Sequence, residues 1–272
     1  MYMAIPMTTE KSAALPGTRP EGTRDEREAA AHVREMFGQI APRYDFLNHF
    51  LSLSLDRVWR RRTARRFGHI LQRPEARAID ICCGTGDLAF ALARERERAM
   101  RANGVRDVAK AKPVIGSDFV EPMLERARDK ARAAGRDAVF AAADTLRLPF
   151  AAASADLVTT AFGFRNLANY ESGLREIARV LRPGGEVGIL EFTEPGAGPL
   201  AALFRFYFRR ILPLVGGAIS GNREAYRYLP GSVAKFPSPA ELAALMGRCG
   251  FCDVRVSMWN FGSVALHTAR RE

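Results

Sequence analysis

The segment Ala78-Ile79-Asp80-Ile81-Cys82-Cys83-Gly84-Thr85-Gly86-Asp87-Leu88-Ala89 constrains the fold more than any other, because an apolar strand runs through two glycines straight into a helix. Glycines there let the backbone approach a ligand at the carboxyl edge of a sheet, and the helix N-terminus offers unpaired N–H groups. The position that would complete Gly-x-Gly-x-x-Gly is Ala89, a replacement that such loops sometimes accept, so the loop by itself does not choose its ligand.

The rest of the chain alternates in the same manner. Strands are expected at Ala76 to Cys82, Val114 to Ser117, Ala138 to Ala142, Asp156 to Ala161 and Glu186 to Phe192, and helices at Asp87 to Met100, Pro122 to Ala134 and Tyr170 to Leu181. A helix at Pro239 to Cys249 precedes two apolar runs, Asp253 to Met258 and Gly262 to Thr268, joined by Trp259-Asn260-Phe261. Strands so close must pair antiparallel, since a parallel return needs a crossover of about a dozen residues. The expected fold is therefore α/β, a doubly wound, seven-stranded, mainly parallel sheet with a C-terminal antiparallel hairpin. In front of it, Glu28 to Phe67 reads as a helical cover, with Val33, Phe37 and Ile40 on one face, a break at Pro42 and a second helix around Trp59.

A length of 272 residues suits one large domain. The organisation expected is a flexible tail over 1–27 and a single domain over 28–272, divided into the cover (28–70), a ligand-binding core (71–192), a helical insertion (193–237) and a closing helix and hairpin (238–272). No run is long and apolar enough to span a membrane, and the first residues are too polar for a signal sequence. The net charge of +11 points to an anionic partner, much of it from Arg57-Val58-Trp59-Arg60-Arg61-Arg62-Thr63-Ala64-Arg65-Arg66. Cys249 and Cys252 have half-site spacing, but no second pair exists to complete a metal centre, so no metal is expected. They read as small apolar residues around a helix-to-strand turn.

Acidic residues recur at the strand ends. Asp80 or Asp87 flanks the glycine loop; Asp118 follows the second strand, placed to accept the hydroxyls of an adenosine ribose; Asp144 follows the third, placed to accept an adenine amino group. Asp118 lies further from the loop than usual, and the charged stretch Arg94 to Lys112 accounts for this as an insertion.

The glycine loop, Asp144 to Phe150 and Val180-Leu181-Arg182-Pro183-Gly184-Gly185 together resemble class I S-adenosylmethionine-dependent methyltransferases. The segments Val33 to Asn48, Ala161-Phe162-Gly163-Phe164-Arg165-Asn166, Tyr226-Arg227-Tyr228-Leu229-Pro230 and Gly262 to His267 resemble, more narrowly, the ubiquinone/menaquinone-biosynthesis C-methyltransferase family. The resemblance spans about Glu28 to Ala269. It implies S-adenosylmethionine as cofactor and methylation of a ring carbon of a polyprenylated quinol, demethylmenaquinol or a ubiquinone precursor. It also implies a cofactor site of Tyr44, Asp80, Gly84, Thr85, Gly86, Asp118, Phe119, Asp144, Thr145 and Ala161. Ala161 stands where the family often has serine, and Ser54 where it commonly has glycine, so a contact and a bend differ there.

On the acceptor side the resemblance implies Arg165 and Asn166 as catalytic residues facing the ring, Arg165 stabilising a phenolate and Asn166 holding a ring oxygen. Asn48, Phe162, Tyr226 and Tyr228 would line the acceptor, with Tyr44 and Asp45 closing over the cofactor. His49 and His267 are bases by type only. The aromatic and cationic stretch Leu200 to Ile219, with the arginine-rich cover, has the make-up of an interfacial surface. A cytoplasmic protein peripherally bound to the inner face of the cell membrane is expected, with room for a homodimer. A basic RNA-binding protein is the rival of another class, but no nucleic-acid recognition motif accompanies the charge, and no nucleic acid partner is expected.

Overall fold

The structure is a computed structural model that describes residues 17–105, 107–196 and 223–272, with isolated positions between 198 and 210. The expected interfacial helix at Leu200 to Ile219 therefore lies outside the described residues for most of its length.

Seven strands form one sheet: β1 Ala78–Ile81, β2 Val114–Asp118, β3 Ala138–Ala142, β4 Ala155–Ala161, β5 Leu181–Phe192, β6 Phe251–Trp259 and β7 Val264–Arg271, in the order β3-β2-β1-β4-β5-β7-β6. β1 pairs parallel with β2 on one side and β4 on the other, and β7 runs antiparallel to both β5 and β6. The chain thus reverses its direction of winding between β1 and β4, the place where open α/β sheets leave a crevice beyond their carboxyl ends.

Period-two alternation sends successive residues to opposite faces. Ile79 and Ile81 of β1 join a core with Leu174 and Ile177 of α7 (Tyr170–Val180) and Leu245 and Met246 of α9 (Pro239–Arg248). Ala78 joins the other core, with Phe67, with Ile70 and Leu71 of α4 (Gly68–Leu71), and with Leu88 and Leu92 of α5 (Asp87–Ala102). The remaining crossover helix, α6 (Glu121–Ala134), covers β2 and β3.

The cover is α1 (Glu26–Ile40), a 3₁₀ turn at Ala41–Arg43, α2 (Tyr44–Leu51) and α3 (Leu55–Arg66). Pro42 sits in the first turn of the 3₁₀ segment, where its missing N–H is harmless. Ser54, where the resemblance implies glycine, takes φ 59°, a left-handed conformation that costs a non-glycine residue about 1 kcal/mol. The helix α8 (Arg223–Lys235) returns the chain towards the cover.

Three boundaries differ most from the sequence reading. Residues 17–25, expected to be tail, are seated on the domain: the Thr18 amide donates to the Leu167 carbonyl at 2.7 Å and the Arg19 guanidinium to the Ala168 carbonyl at 2.6 Å. β5 begins at Leu181, which pairs with Ala155, and the glycine turn that follows is bulged out before pairing resumes at Glu186 with Leu157. β7 runs on to Arg271 because β5 pairs with it as far as Arg270 and Phe251 of β6 pairs with Arg271. Cys249 caps α9 and Cys252 lies in β6, with all four cysteines free, in keeping with their reading as small turn residues.

Candidate active site

At the carboxyl ends of β1 to β4 the expected acidic residues converge on a partly open cleft. Asp80 is buried; its Oδ1 accepts from the Thr159 hydroxyl at 2.9 Å, while its Oδ2 has no partner. Burial pushes this carboxyl up to about 7, against the opposing pull of the Thr159 bond and the Arg60 charge. Asp118 is tied to the backbone, Oδ2 accepting from Gly84 N at 2.8 Å and Oδ1 from Val120 N at 2.9 Å. Burial raises its pKa, and these N–H bonds oppose the rise.

The loop between them needs three left-handed residues, Cys82 (φ 49°), Gly84 (φ 54°) and Gly86 (φ 87°). At Gly86, the N-cap of α5, a Cβ would also lie 2.8 Å from the Phe140 ring, so glycine is required twice over. Thr145 shares a 3.3 Å hydrogen bond with the Cys82 thiol, and Asp144 Oδ1 accepts from Leu146 N at 2.9 Å. Of the expected cofactor residues, Tyr44, Asp80, Gly84, Thr85, Asp118, Phe119, Asp144, Thr145 and Ala161 line this cleft; Gly86 stands behind it.

The cover closes the cleft through side chains. Ala30, Val33 and Phe37 of α1 face it, and the Phe37 and Tyr44 rings meet edge to face at 6.1 Å. The Thr85 hydroxyl donates to Asp45, and Lys130 of α6 clasps Asp45 Oδ2 at 3.0 Å and Asp87 Oδ1 at 2.7 Å. Lys130 was not legible in the sequence: it is one cation among many on a basic helix, and only folding sets it against the glycine loop.

On the acceptor side, Ala161, Phe162 and Asn166 line the cleft. Phe162, at φ 61°, packs its ring 4.4 Å from that of Phe192 and 6.0 Å from that of Trp59, with the Arg60 guanidinium over its face. The expectation that Arg165 faces the acceptor is not met. Its side chain, in a residue only 5% exposed, turns behind the cleft wall to Glu191 Oε1 at 2.7 Å, to the Phe162 carbonyl and to Ser232 Oγ at 3.3 Å. A buried glutamate on β5 outcompetes the cleft for this cation, and nothing in the sequence around Glu191 announces it.

Tyr228 stands behind Asn166 and donates to its Oδ1 at 3.1 Å. The Tyr228 hydroxyl is itself 3.1 Å from Thr18 Oγ1 in the N-terminal segment. With Oδ1 engaged, the Asn166 amide is oriented with its N–H groups left to donate. The side chains of Asn48 and Tyr226 lie outside the described residues. His49 bonds Asp56 at 2.8 Å, outside the cleft wall, and His267 is buried against the Pro239 carbonyl, with desolvation lowering its pKa to about 4. Neither is placed as a base.

Residues 23–271 match the model of the ubiE/COQ5 methyltransferase family. The chain is 47% identical to a demethylmenaquinone methyltransferase of Thermus thermophilus over 236 residues, 87% of this chain and 100% of that one. It is 38% identical to a ubiquinone/menaquinone biosynthesis C-methyltransferase of Geobacter sulfurreducens over 247 residues, 90% of each. Among solved structures, a methyltransferase from Thermotoga maritima superposes with a TM-score of 0.54 at 18% identity, covering 87% of this chain and 100% of that one, which establishes the shared fold. The glycine loop, the strand-end carboxylates and the match over nearly the whole length lead to one conclusion: this chain is a methyltransferase and belongs to the ubiE/COQ5 methyltransferase family.

Proposed function

We propose that the chain methylates a ring carbon of a polyprenylated quinol, demethylmenaquinol in the first instance, with S-adenosylmethionine as donor. The observation that carries this reading is the 47% identity to a demethylmenaquinone methyltransferase over that protein's full length, on a chain whose cleft fits the donor.

The fit rests on Asp80 and Asp118. A buried carboxylate oxygen without a partner, on the cleft wall, suits the amino group of the donor. Asp118, fixed by two backbone amides, retains lone pairs for two ribose hydroxyls. S-adenosylmethionine supplies a methyl group carried on a sulfonium. The residues around it have three tasks. Phe162, backed by Phe192 and Trp59, presents an aromatic wall that keeps water from the transfer. Asn166, oriented by Tyr228, donates to the ring oxygen whose negative charge makes the neighbouring carbon nucleophilic. Arg165, clamped by Glu191 and the Phe162 carbonyl, positions the segment Phe162 to Asn166 rather than touching the ring.

A prenylated acceptor keeps its tail in a bilayer, so the reading includes peripheral attachment to the inner face of the cell membrane. Among the described residues no helix is long and apolar enough to cross a membrane. The test is the quinone profile of cells with and without the protein: its loss should leave demethylmenaquinone in place of menaquinone, and an unchanged profile would sink the proposal. Accumulation of an unmethylated ubiquinone precursor instead would shift the acceptor within the same family.

A further inference from the structure

We infer that the α2–α3 turn and the arginine-lined groove beside it form a docking surface for an anionic lipid bilayer. The quinol reading supplies only the reason such a surface would be useful.

Three large apolar side chains crowd this turn in solvent: Phe50 is 51% exposed, Leu53 81% and Leu55 39%. Isolated exposed leucines are ordinary, but three within six residues at a protruding turn form a patch. The turn is not a relaxed loop, since Leu53 and Ser54 hold φ angles of 51° and 59°. Directly after it, Arg57 and Arg61 lie one helical turn apart on α3 and line a broad groove with Arg94 of α5 and Arg136 beyond α6.

The charges in that groove are unbalanced. Its other two cations are matched, Arg60 by Asp56 and Lys130 by Asp45 and Asp87. Arg57, Arg61, Arg94 and Arg136 make no ion pair within contact distance among the described residues; burial and then the charges of Arg136, Arg61 and Arg57 lower the pKa of Arg94, outweighing the opposing pull of Asp87. Four guanidinium groups around one groove suit phosphate oxygens. Apolar side chains beside them suit the acyl boundary below, which favours a bilayer over a nucleic acid, whose backbone offers no apolar phase. Arg60 and Asp87 line both this groove and the methyl-transfer cleft, so docking here would set the cleft against the lipid surface.

The test is co-sedimentation of the full chain with vesicles of phosphatidylcholine alone or with about one third phosphatidylglycerol. The protein should pellet with the anionic vesicles, be released by salt, and stay in solution with the neutral ones. Arg57→Ala combined with Arg61→Ala should weaken partitioning roughly twenty-five-fold, about fivefold for each charge, and Leu53→Asn about tenfold. All three residues are exposed, and asparagine tolerates the left-handed conformation, so the thermal midpoint should hold. Both variants should methylate a quinol without a prenyl tail at the wild-type rate and lose activity on quinol embedded in anionic vesicles. Wild-type indifference to anionic vesicles, or undiminished binding by both variants, would overturn the inference. So would arginine-dependent capture of RNA without vesicle binding, or a change of oligomeric state on Leu53→Asn that leaves vesicle binding intact. Failure of the wild type to methylate the tail-less quinol while still pelleting would instead count against the quinol reading.

Discussion

The floor of the cleft and its roof are held by different kinds of bond. On the floor, Asp118 accepts from the main-chain amides of Gly84 and Val120 and Asp144 from that of Leu146, while Asp80 accepts from the Thr159 hydroxyl on the neighbouring strand. On the roof and acceptor side, side chain meets side chain across long stretches of sequence: Thr85 with Asp45, Lys130 with Asp87, Tyr228 with Asn166 and Thr18. Main-chain donors are fixed by the sheet itself and need no further ordering when a ligand arrives. Side-chain clasps on a helical cover are separable one by one, which suits a lid that must admit a large acceptor.

The Arg165–Glu191 pair lies at the seam between the two regions, and breaking it should give the largest effect. Arg165→Met would leave a buried glutamate uncompensated and cost about 3–5 kcal/mol of folding stability, read as a lower urea midpoint. Adding Glu191→Leu should restore most of the loss, since the buried charge then disappears. Were Arg165 instead to reach the acceptor, the single variant would keep its midpoint and lose only turnover.

On the floor, Asp118→Ala removes both the proposed ribose acceptor and the anchor of the Gly84 amide. Affinity for S-adenosylmethionine should fall about a hundredfold by calorimetry, about 2.7 kcal/mol, while the acceptor's KM changes little. An equal loss in acceptor binding would erase the distinction between floor and roof.

Asp80 gives that distinction a pH signature. Its carboxyl, pushed up to about 7 by burial, is part protonated near neutrality, and a cationic ligand group binds the ionised form. Donor affinity should therefore rise about tenfold per pH unit up to pH ~7 and level off above it. Asp80→Asn should flatten the profile, and a profile falling from pH 6 to 7 would contradict the assignment.

Much of the floor was legible in the sequence because position along a strand decides it: an acidic residue just past an apolar run, or a glycine between strand and helix, lands at the sheet edge whatever the rest of the chain does. Asp80, Gly84, Asp118 and Asp144 were found in this way and line the cleft. Arg165 shows the limit of the method. Its place in the chain was read correctly, but the direction of its side chain depended on Glu191, a residue on the next strand of the sheet with no mark of its own. Lys130 and Thr18 were missed for the same reason, since their partners lie 43 and 210 residues away. The tail boundary failed because proline and glycine near Gly17 read as disorder, whereas Gly17 fits against Ala168 where a Cβ would find no room.

The smallest expected effect tests whether the roof serves the acceptor alone. Tyr228→Phe keeps the ring but removes the hydroxyl that orients Asn166, so the amide can turn its oxygen towards the ring anion it should stabilise. Turnover should drop about fivefold, the value of one neutral hydrogen bond, with donor affinity and thermal midpoint unchanged. Thr18→Ala leaves Tyr228 in place and should lower turnover by no more than about twofold. If Tyr228→Phe weakened donor binding as much as turnover, Asn166 would belong to the floor, and the seam between the two regions would have to be redrawn on the donor side of Phe162.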